Sequence, residues 1–421
     1  MIAAWRACTP KYLPENSNVA ETVSARKRAG SCSAKVLLLE KNKMPGIKIL
    51  ISGGGKCNIT NGSDMQSMLE QFGTNECRFL KYSFHTFTNT QLLDLLRQQG
   101  VETYARENGK VFPKSHDAED VVRALQRLME SAYVEIQLGI SATDVEKHED
   151  GSFLVTTING IHKTKKIIIA CGGLSYKKTG TTGDGYAWAK KLGHTIVPLR
   201  PALAPIYLSP IPPPQWQGTP IRECTLMAIC GKKIVAKWNG DVLFTHLGVS
   251  GPAALEVSKD AFVEFEQGKL VTMHVDFYPE FSVERLEEKL LTDTSSNANR
   301  NVINFAEQLV PQRLAEYVLM QSEINGTKKL HQVKKEERQA LAAILKQCPL
   351  GTVKEIPLDR GEVTAGGVAL NEINPTTMES KLVKGLYFCG EILDIAGPVG
   401  GYNLQAAFST GYVAGEAAVK C

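Results

Sequence analysis

LLLEKNKMPGIKILISGGGKCNITN, residues Leu37–Asn61, opens on an apolar run and closes on a glycine-rich, polar stretch. With Lys35 and Val36 ahead of it, the run ends at Glu40 and has the look of a buried parallel strand. A carboxylate closing the second strand of a Rossmann unit accepts hydrogen bonds from ribose hydroxyls, which makes Glu40, with Lys41 beside it, a candidate for holding a nucleotide. An acid also closes many strands that bind nothing, so the context decides. Downstream, Gly53, Gly54 and Gly55 expose backbone amides and permit positive φ, as a loop approaching an anion or a flavin requires. A plain surface turn is the rival reading. The crowding of Lys56, Cys57, Asn58, Thr60 and Asn61 directly after it favours a site.

Working upstream, the expected context is a G-x-G-x-x-G turn about 20 residues before the acid, because no side chain fits where backbone N–H groups approach a pyrophosphate. The first glycine is Gly30, and residues 1–29 contain none. Residues 1–35 are basic, contain serine and lack strong periodicity. A transit peptide is one reading. Glu15, Glu21 and the direct run into a core-like strand speak against it.

The remaining bulk properties narrow the class. The 421 residues suffice for two or three domains, and 43% hydrophobic with 22% charged residues is ordinary globular usage. A net charge of +4, with basic residues thinly spread, speaks against a nucleic-acid partner. Ten cysteines without a CxxC pair or neighbouring histidines at zinc spacing predict reduced thiols in an intracellular compartment and no metal site. The apolar runs are strand-sized, which predicts no membrane span.

Further along, helical spacing predicts helices over 90–99 and 118–129, the second capped by Ser115 or Asp117. Strand patterns cover 135–138, 153–157 and 165–170. Between Pro198 and Asp276 prolines cluster and short β-like runs appear at 225–229, 233–238 and 270–275, which predicts a mostly β insertion. Helical spacing follows over 281–291 and 301–345, then an α/β texture returns with a closing helix over 404–419. The fold class is therefore α/β: a split Rossmann-like domain (36–195 and 351–421) enclosing a β-rich domain (196–280) and a small helical subdomain (281–350), after an atypical segment (1–35).

Two later stretches carry chemistry. Ile167–Gly173 ends a strand in small residues, so a cofactor could approach near Gly172; an ordinary strand-to-turn junction is the alternative. Stronger is GLYFCGEILD, residues 385–394, followed by GPVGGYNLQAA from Gly397. Here a strand ends at Gly390–Glu391, placing an acid where flavoenzymes hold the ribityl chain. A glycine loop then opens a helix whose N-terminal dipole can stabilise electron density on a flavin. A buried structural carboxylate is the rival.

At these residues the chain resembles the YhiN-like flavoproteins, which include bile-acid pathway reductases. The likeness runs from Leu37–Asn61, with Lys56 where arginine is usual, through Gly109–Pro113, Gly172–Ser175, Gly180–Tyr186, Phe244–Pro252 and Gly366–Val368 to the C-terminal block. It implies an FAD site lined by Glu40, Gly53, Gly54, Gly55, Lys56, Cys57, Asn58, Gly390, Glu391, Gly400, Gly401, Tyr402 and Asn403, to which the reading of the residues adds Lys41 and Gly172. The expected function is an FAD-dependent oxidoreductase acting on a small-molecule substrate, with NAD(P)H as a possible electron donor. Cys57, Tyr402 and His246 are acid/base candidates by chemistry alone, and no catalytic residue is assigned.

The departure from the family is the missing first strand and glycine loop. We read it as a wrongly placed or spliced start, since a dismantled sheet would leave a raw edge and an uncovered helix face. The competing class is a remnant or interaction protein that no longer binds FAD.

Overall fold

The computed structural model describes residues 1–9 and 34–420, and the chain divides into two compact units, Met1–Leu199 with Thr364–Cys421, and Arg200–Val363. Three apolar cores sit inside them, two in the first unit and one in the second.

The first unit carries the α/β texture. Leu37–Glu40 pairs in parallel with Glu135–Leu138, and Leu386–Phe388 pairs in parallel with Ile167–Ile169. Among the described residues no strand joins these two pairs. Helices pack around them: Thr74–Thr86, Asn89–Gln98, Ala118–Ser131 and the long closing helix Tyr402–Val419. Asp117 caps the third of these, its carboxylate accepting from Glu119 N–H at 2.9 Å. A meander of three antiparallel strands, Ala142–Lys147, Phe153–Thr157 and Gly160–Thr164, precedes Ile167–Ile169.

Two segments differ from the sequence-based expectation. Residues 41–61, expected as a loop, hold a short helix over Ile47–Ile51, a 3₁₀ turn over Ser52–Gly55 and a strand at Thr60–Asn61. The second concerns residues 1–35, where no matching element was expected: Ile2–Cys8 form a helix buried on almost every side. Seven residues are too few to display a period. The helix covers the face of Tyr402–Val419 through Gly411 and Gly415, where a Cβ on Gly415 would stand 2.3 Å from Ala3 O. Trp5 lies 6.3 Å from Tyr412, and Arg6 pairs with Glu416 while its guanidinium sits over the Tyr412 ring. The expected uncovered helix face is thus covered. The readings on residues 10–33, Gly30 among them, fall outside the described residues.

The second unit is built on a closed barrel. Its strand order is Ile206–Ser209, Gly248–Ser250, Lys233–Phe244, Pro220–Cys230, Val271–Asp276 and Cys348–Glu355, closing back on the first. The sixth strand comes after the helices, so the β region extends past residue 280 and the unit past residue 350, because a barrel needs a last strand to satisfy its open edge. Helices Pro252–Glu266, Val283–Ser296, Val302–Leu309, Gln312–Gln321 and Lys335–Lys346 share its core. No described helix is long and apolar enough to cross a membrane, and no group of three metal-ligating side chains gathers among the described residues.

Candidate functional site

In the first unit, Glu391 stands just beyond the Leu386–Phe388 strand, after Gly390, whose φ of +77° suits glycine. Three segments far apart in sequence converge on its carboxylate. Oε1 accepts from Thr364 N–H at 2.9 Å and from Ser175 Oγ–H at 2.8 Å, while Oε2 accepts from Lys48 Nζ. Lys48 Nζ also donates to Ser175 Oγ at 2.6 Å. Thr364 Oγ1 in turn accepts from the Leu174 and Ser175 amides at 2.8 and 3.1 Å, which pins the turn after Ile167–Ile169. Only glycine fits inside this knot at position 173, where a Cβ would lie 2.4 Å from Thr364 Oγ1 and 2.8 Å from Glu391 Oε1.

Lys48 reaches the acid because its short helix begins at left-handed Gly46 (φ +82°) and runs directly into Gly53, Gly54 and Gly55, with φ of +57°, +69° and +83°. The three glycines are not equivalent. A Cβ on Gly53 would stand 2.7 Å from Asn58 N, on Gly55 only 3.9 Å from Leu50 O, and on Gly54 near nothing within 4 Å. Gly53 is thus fixed by internal packing, whereas Gly54 and Gly55 present open backbone. Lys56 is exposed. Cys57 is fully buried and its thiol is pushed up to about 11 by that burial, so it is a packing residue and a poor nucleophile.

The loop of Gly400, Gly401, Tyr402 and Asn403 is tied to the strand Thr60–Asn61. A Cβ on Gly401 would lie 2.4 Å from the Thr60 carbonyl, and one on Gly400 2.6 Å from the Tyr402 ring. With its amide nitrogen toward the Thr60 and Val111 carbonyls, Asn58 places its oxygen 2.9 Å from Gly401 N. Asn403 accepts from Gly397 N–H and donates to Gly397 O, both at 2.8 Å, which closes its own loop. Tyr402 packs edge-on to Phe72. Beneath them Thr60 Oγ1 donates to Gln405 Oε1 at 2.6 Å, and Gln405 and Ser409 both donate to Phe87 O.

Glu40 and Lys41 stand at a different strand end. Glu40 Oε1 accepts from Asn42 N–H at 2.8 Å, and Lys41 Nζ pairs with Asp184 at 2.7 Å and with the Thr182 hydroxyl. Gly172 has φ +75°, and a Cβ there would meet Thr181 at 3.0 Å. The structure therefore joins Asn58 to Gly401, and Glu391 to residues that the sequence reading did not single out: Lys48, Ser175 and Thr364. No hydrogen bond joins Glu40 or Lys41 to Glu391 among the described residues. His246, in the second unit, is exposed on the turn closed by Thr245 N–H donating to Gly248 O at 2.8 Å.

These residues fit one end of a flavin dinucleotide better than the other. On the flavin side, Gly54, Gly55 and Gly390 leave backbone open to approach, Gly390 meeting nothing nearer than Ala407 at 3.5 Å. Glu391 supplies a hydrogen-bonded carboxylate there, with 18% of its side chain exposed. For the pyrophosphate, residues 1–29 offer no glycine.

Comparison with known proteins matches residues 22–417 to the HI0933-like protein Rossmann domain. The chain is 29% identical to the 3-dehydro-bile acid delta(4,6)-reductase of Clostridium scindens, over 96% of this chain and 97% of that one. It is 31% identical to the ribosomal RNA dihydrouridine synthase of Escherichia coli, over 92% of this chain and 93% of that one. That second likeness bears against the expectation of no nucleic-acid partner. Among solved structures, 3-ketosteroid delta1-dehydrogenase from Sterolibacterium denitrificans aligns with a TM-score of 0.47 at 12% identity, over 99% of this chain and 97% of that one.

Proposed function

Since the chain belongs to the HI0933-like Rossmann-domain family, we propose that it is an FAD-dependent oxidoreductase that saturates a carbon–carbon double bond conjugated to a carbonyl. The two relatives' activities share that chemistry: a delta(4,6) reduction beside a 3-keto group, and the saturation of a uracil ring beside its carbonyl. For such a bond, a hydride would add to the electron-poor end of the conjugated system, β or, through a second double bond, δ to the carbonyl, and a proton to the neighbouring carbon. Bound FAD, once reduced, would supply the hydride, with NAD(P)H a possible donor for its reduction.

The single observation carrying the reading is the hydrogen-bonded Glu391 beside the open backbone of Gly390. In it, Glu391 holds the ribityl chain, Gly54 and Gly55 meet the cofactor by backbone, and Glu40 takes the adenosine ribose. The substrate is a small unsaturated carbonyl compound.

A second reading, a chain that no longer holds FAD, is favoured by the absence of glycine from residues 1–29. Each backbone hydrogen bond to a charged pyrophosphate is worth about 1.5–3 kcal/mol, so a missing loop weakens FAD binding by orders of magnitude.

Purification with added FAD separates these readings. A yellow protein absorbing near ~450 nm whose reduced form is reoxidised by a 4-ene-3-ketosteroid supports the proposal. Colourless protein after reconstitution sinks it in favour of the second reading. Reoxidation by uridine-containing RNA and not by the ketosteroid moves the substrate to RNA.

A further inference from the structure

Lys48 and Glu391 carry an unspent donor and an unspent acceptor side by side. Lysine has three N–H donors, and among the described residues Lys48 uses two, on Ser175 Oγ and Glu391 Oε2. A carboxylate offers about two lone-pair directions per oxygen. Both directions at Oε1 are taken, by Ser175 and Thr364, but Oε2 has, among the described residues, a single donor, Lys48. The two side chains remain 29% and 18% exposed, so the pair is not sealed from solvent.

Ser175 is fully buried and the Thr364 amide is fixed in its strand, so neither can release Glu391 to turn toward a ligand. The carboxylate is pre-set, at no further cost in ordering when something binds. A bare anion would meet the Glu391 charge and a bare cation the Lys48 charge. A hydroxyl satisfies both, donating to Oε2 and accepting from Nζ.

We infer that the Lys48–Glu391 pair reads one hydroxyl of a polyol chain, with Lys48 as a second ligand to that hydroxyl as well as the residue that positions Glu391. This rests on the flavin reading above, in which the polyol is the ribityl chain. It adds a contact from the Ile47–Ile51 helix, so the segment bearing the open glycines and the acid grip one ligand together.

The test uses the full chain and three probes, FAD, riboflavin and lumiflavin, the last of which has the ring but no ribityl hydroxyls. Binding is read by quenching of flavin fluorescence. Wild type binds riboflavin more tightly than lumiflavin. Lys48→Met cuts riboflavin affinity by about tenfold or more, the loss expected for one charge-assisted hydrogen bond, and leaves lumiflavin affinity unchanged. Unchanged lumiflavin binding also shows that the variant is folded. Lys48→Arg, which keeps a cation, retains part of the preference.

A Lys48→Met variant with the wild-type ratio of riboflavin to lumiflavin affinity overturns the hydroxyl assignment while leaving flavin binding intact. Equal affinity of wild type for riboflavin and lumiflavin does the same. Should Lys48→Met bind neither, Lys48→Ala, which has no donor and leaves room for water beside Glu391, is measured in its place, and a wild-type ratio there overturns the assignment. Wild type binding none of the three probes overturns the flavin reading and takes this inference with it.

Discussion

His194 Nδ1 lies 3.0 Å from Glu372 Oε2, and the imidazole is fully enclosed. Its other nitrogen meets Ser380 Oγ at 2.8 Å, and its ring stacks edge-on to Phe388. Burial holds His194 below the ordinary histidine range, despite the opposing pull of Glu372. Glu372 is itself held low: burial opposes this, but hydrogen bonds from Thr195 and His194 outweigh it.

Acid should therefore loosen the first unit in two stages. A base whose folded pKa is depressed binds more protons when unfolded, so its stabilisation is intact above about 6.5 and falls as the pH drops below that. Glu372, an acid with a depressed folded pKa, contributes above about 4.3 and loses that contribution as the pH falls further. Thermal melts of wild type should show a decline as the pH falls below about 6.5 that His194→Gln flattens, at a cost of about 1–3 kcal/mol at neutral pH for the unpaired groups. An unchanged slope in the variant would assign the decline elsewhere.

Gly401 and Gly54 make a matched pair of alanine substitutions. Both have positive φ, +91° and +69°, but a Cβ on Gly401 would sit 2.4 Å from the Thr60 carbonyl while one on Gly54 meets open space. Gly54→Ala should cost only the backbone strain, about 1–2 kcal/mol. Gly401→Ala adds overpacking and should cost about 3 kcal/mol or more. Denaturant melts of the two variants check the order.

Gly415→Ala should release the helix Ile2–Cys8. The added methyl would stand 2.3 Å from Ala3 O, at a point where this helix crosses Tyr402–Val419. Trp5, only 5% exposed, should then enter water. A red shift of its emission and faster proteolysis after Arg6 are the expected readouts, compared in a background where the other tryptophans are replaced by phenylalanine.

Cys57 should resist alkylation in the native protein. Its thiol is fully buried and pushed up to about 11, so at pH 8 very little is thiolate and none is accessible. Iodoacetamide followed by peptide mapping should label Cys57 only after unfolding. Native labelling would return it to the list of reactive groups.

Much of the architecture was legible because it is written locally. The runs at 135–138 and 153–157 form strands at the expected residues, and the helix from Ala118 starts where Asp117 caps it. The barrel's closing strand was not legible, since Cys348–Glu355 has no signal of its own apart from a partner more than seventy residues earlier. The same holds at the site. Glu391 stood out through the glycines on either side of it, but Lys48, Ser175 and Thr364 are ordinary residues whose meaning appears only when the fold brings them within hydrogen-bonding distance. The glycines of the 400–403 loop were legible as necessary; that Gly400 and Gly401 are needed to clear Tyr402 and Thr60 was not.

The order in which the barrel strands occur along the chain has a consequence for biosynthesis. Five of them are made by Asp276, yet the sixth follows only after the intervening helices. On the ribosome the incomplete barrel must wait with two raw edges while those helices emerge and settle on its core. The passage of Glu355 out of the exit tunnel is thus the moment at which this half of the nascent protein stops being an open sheet that can pair with its neighbours.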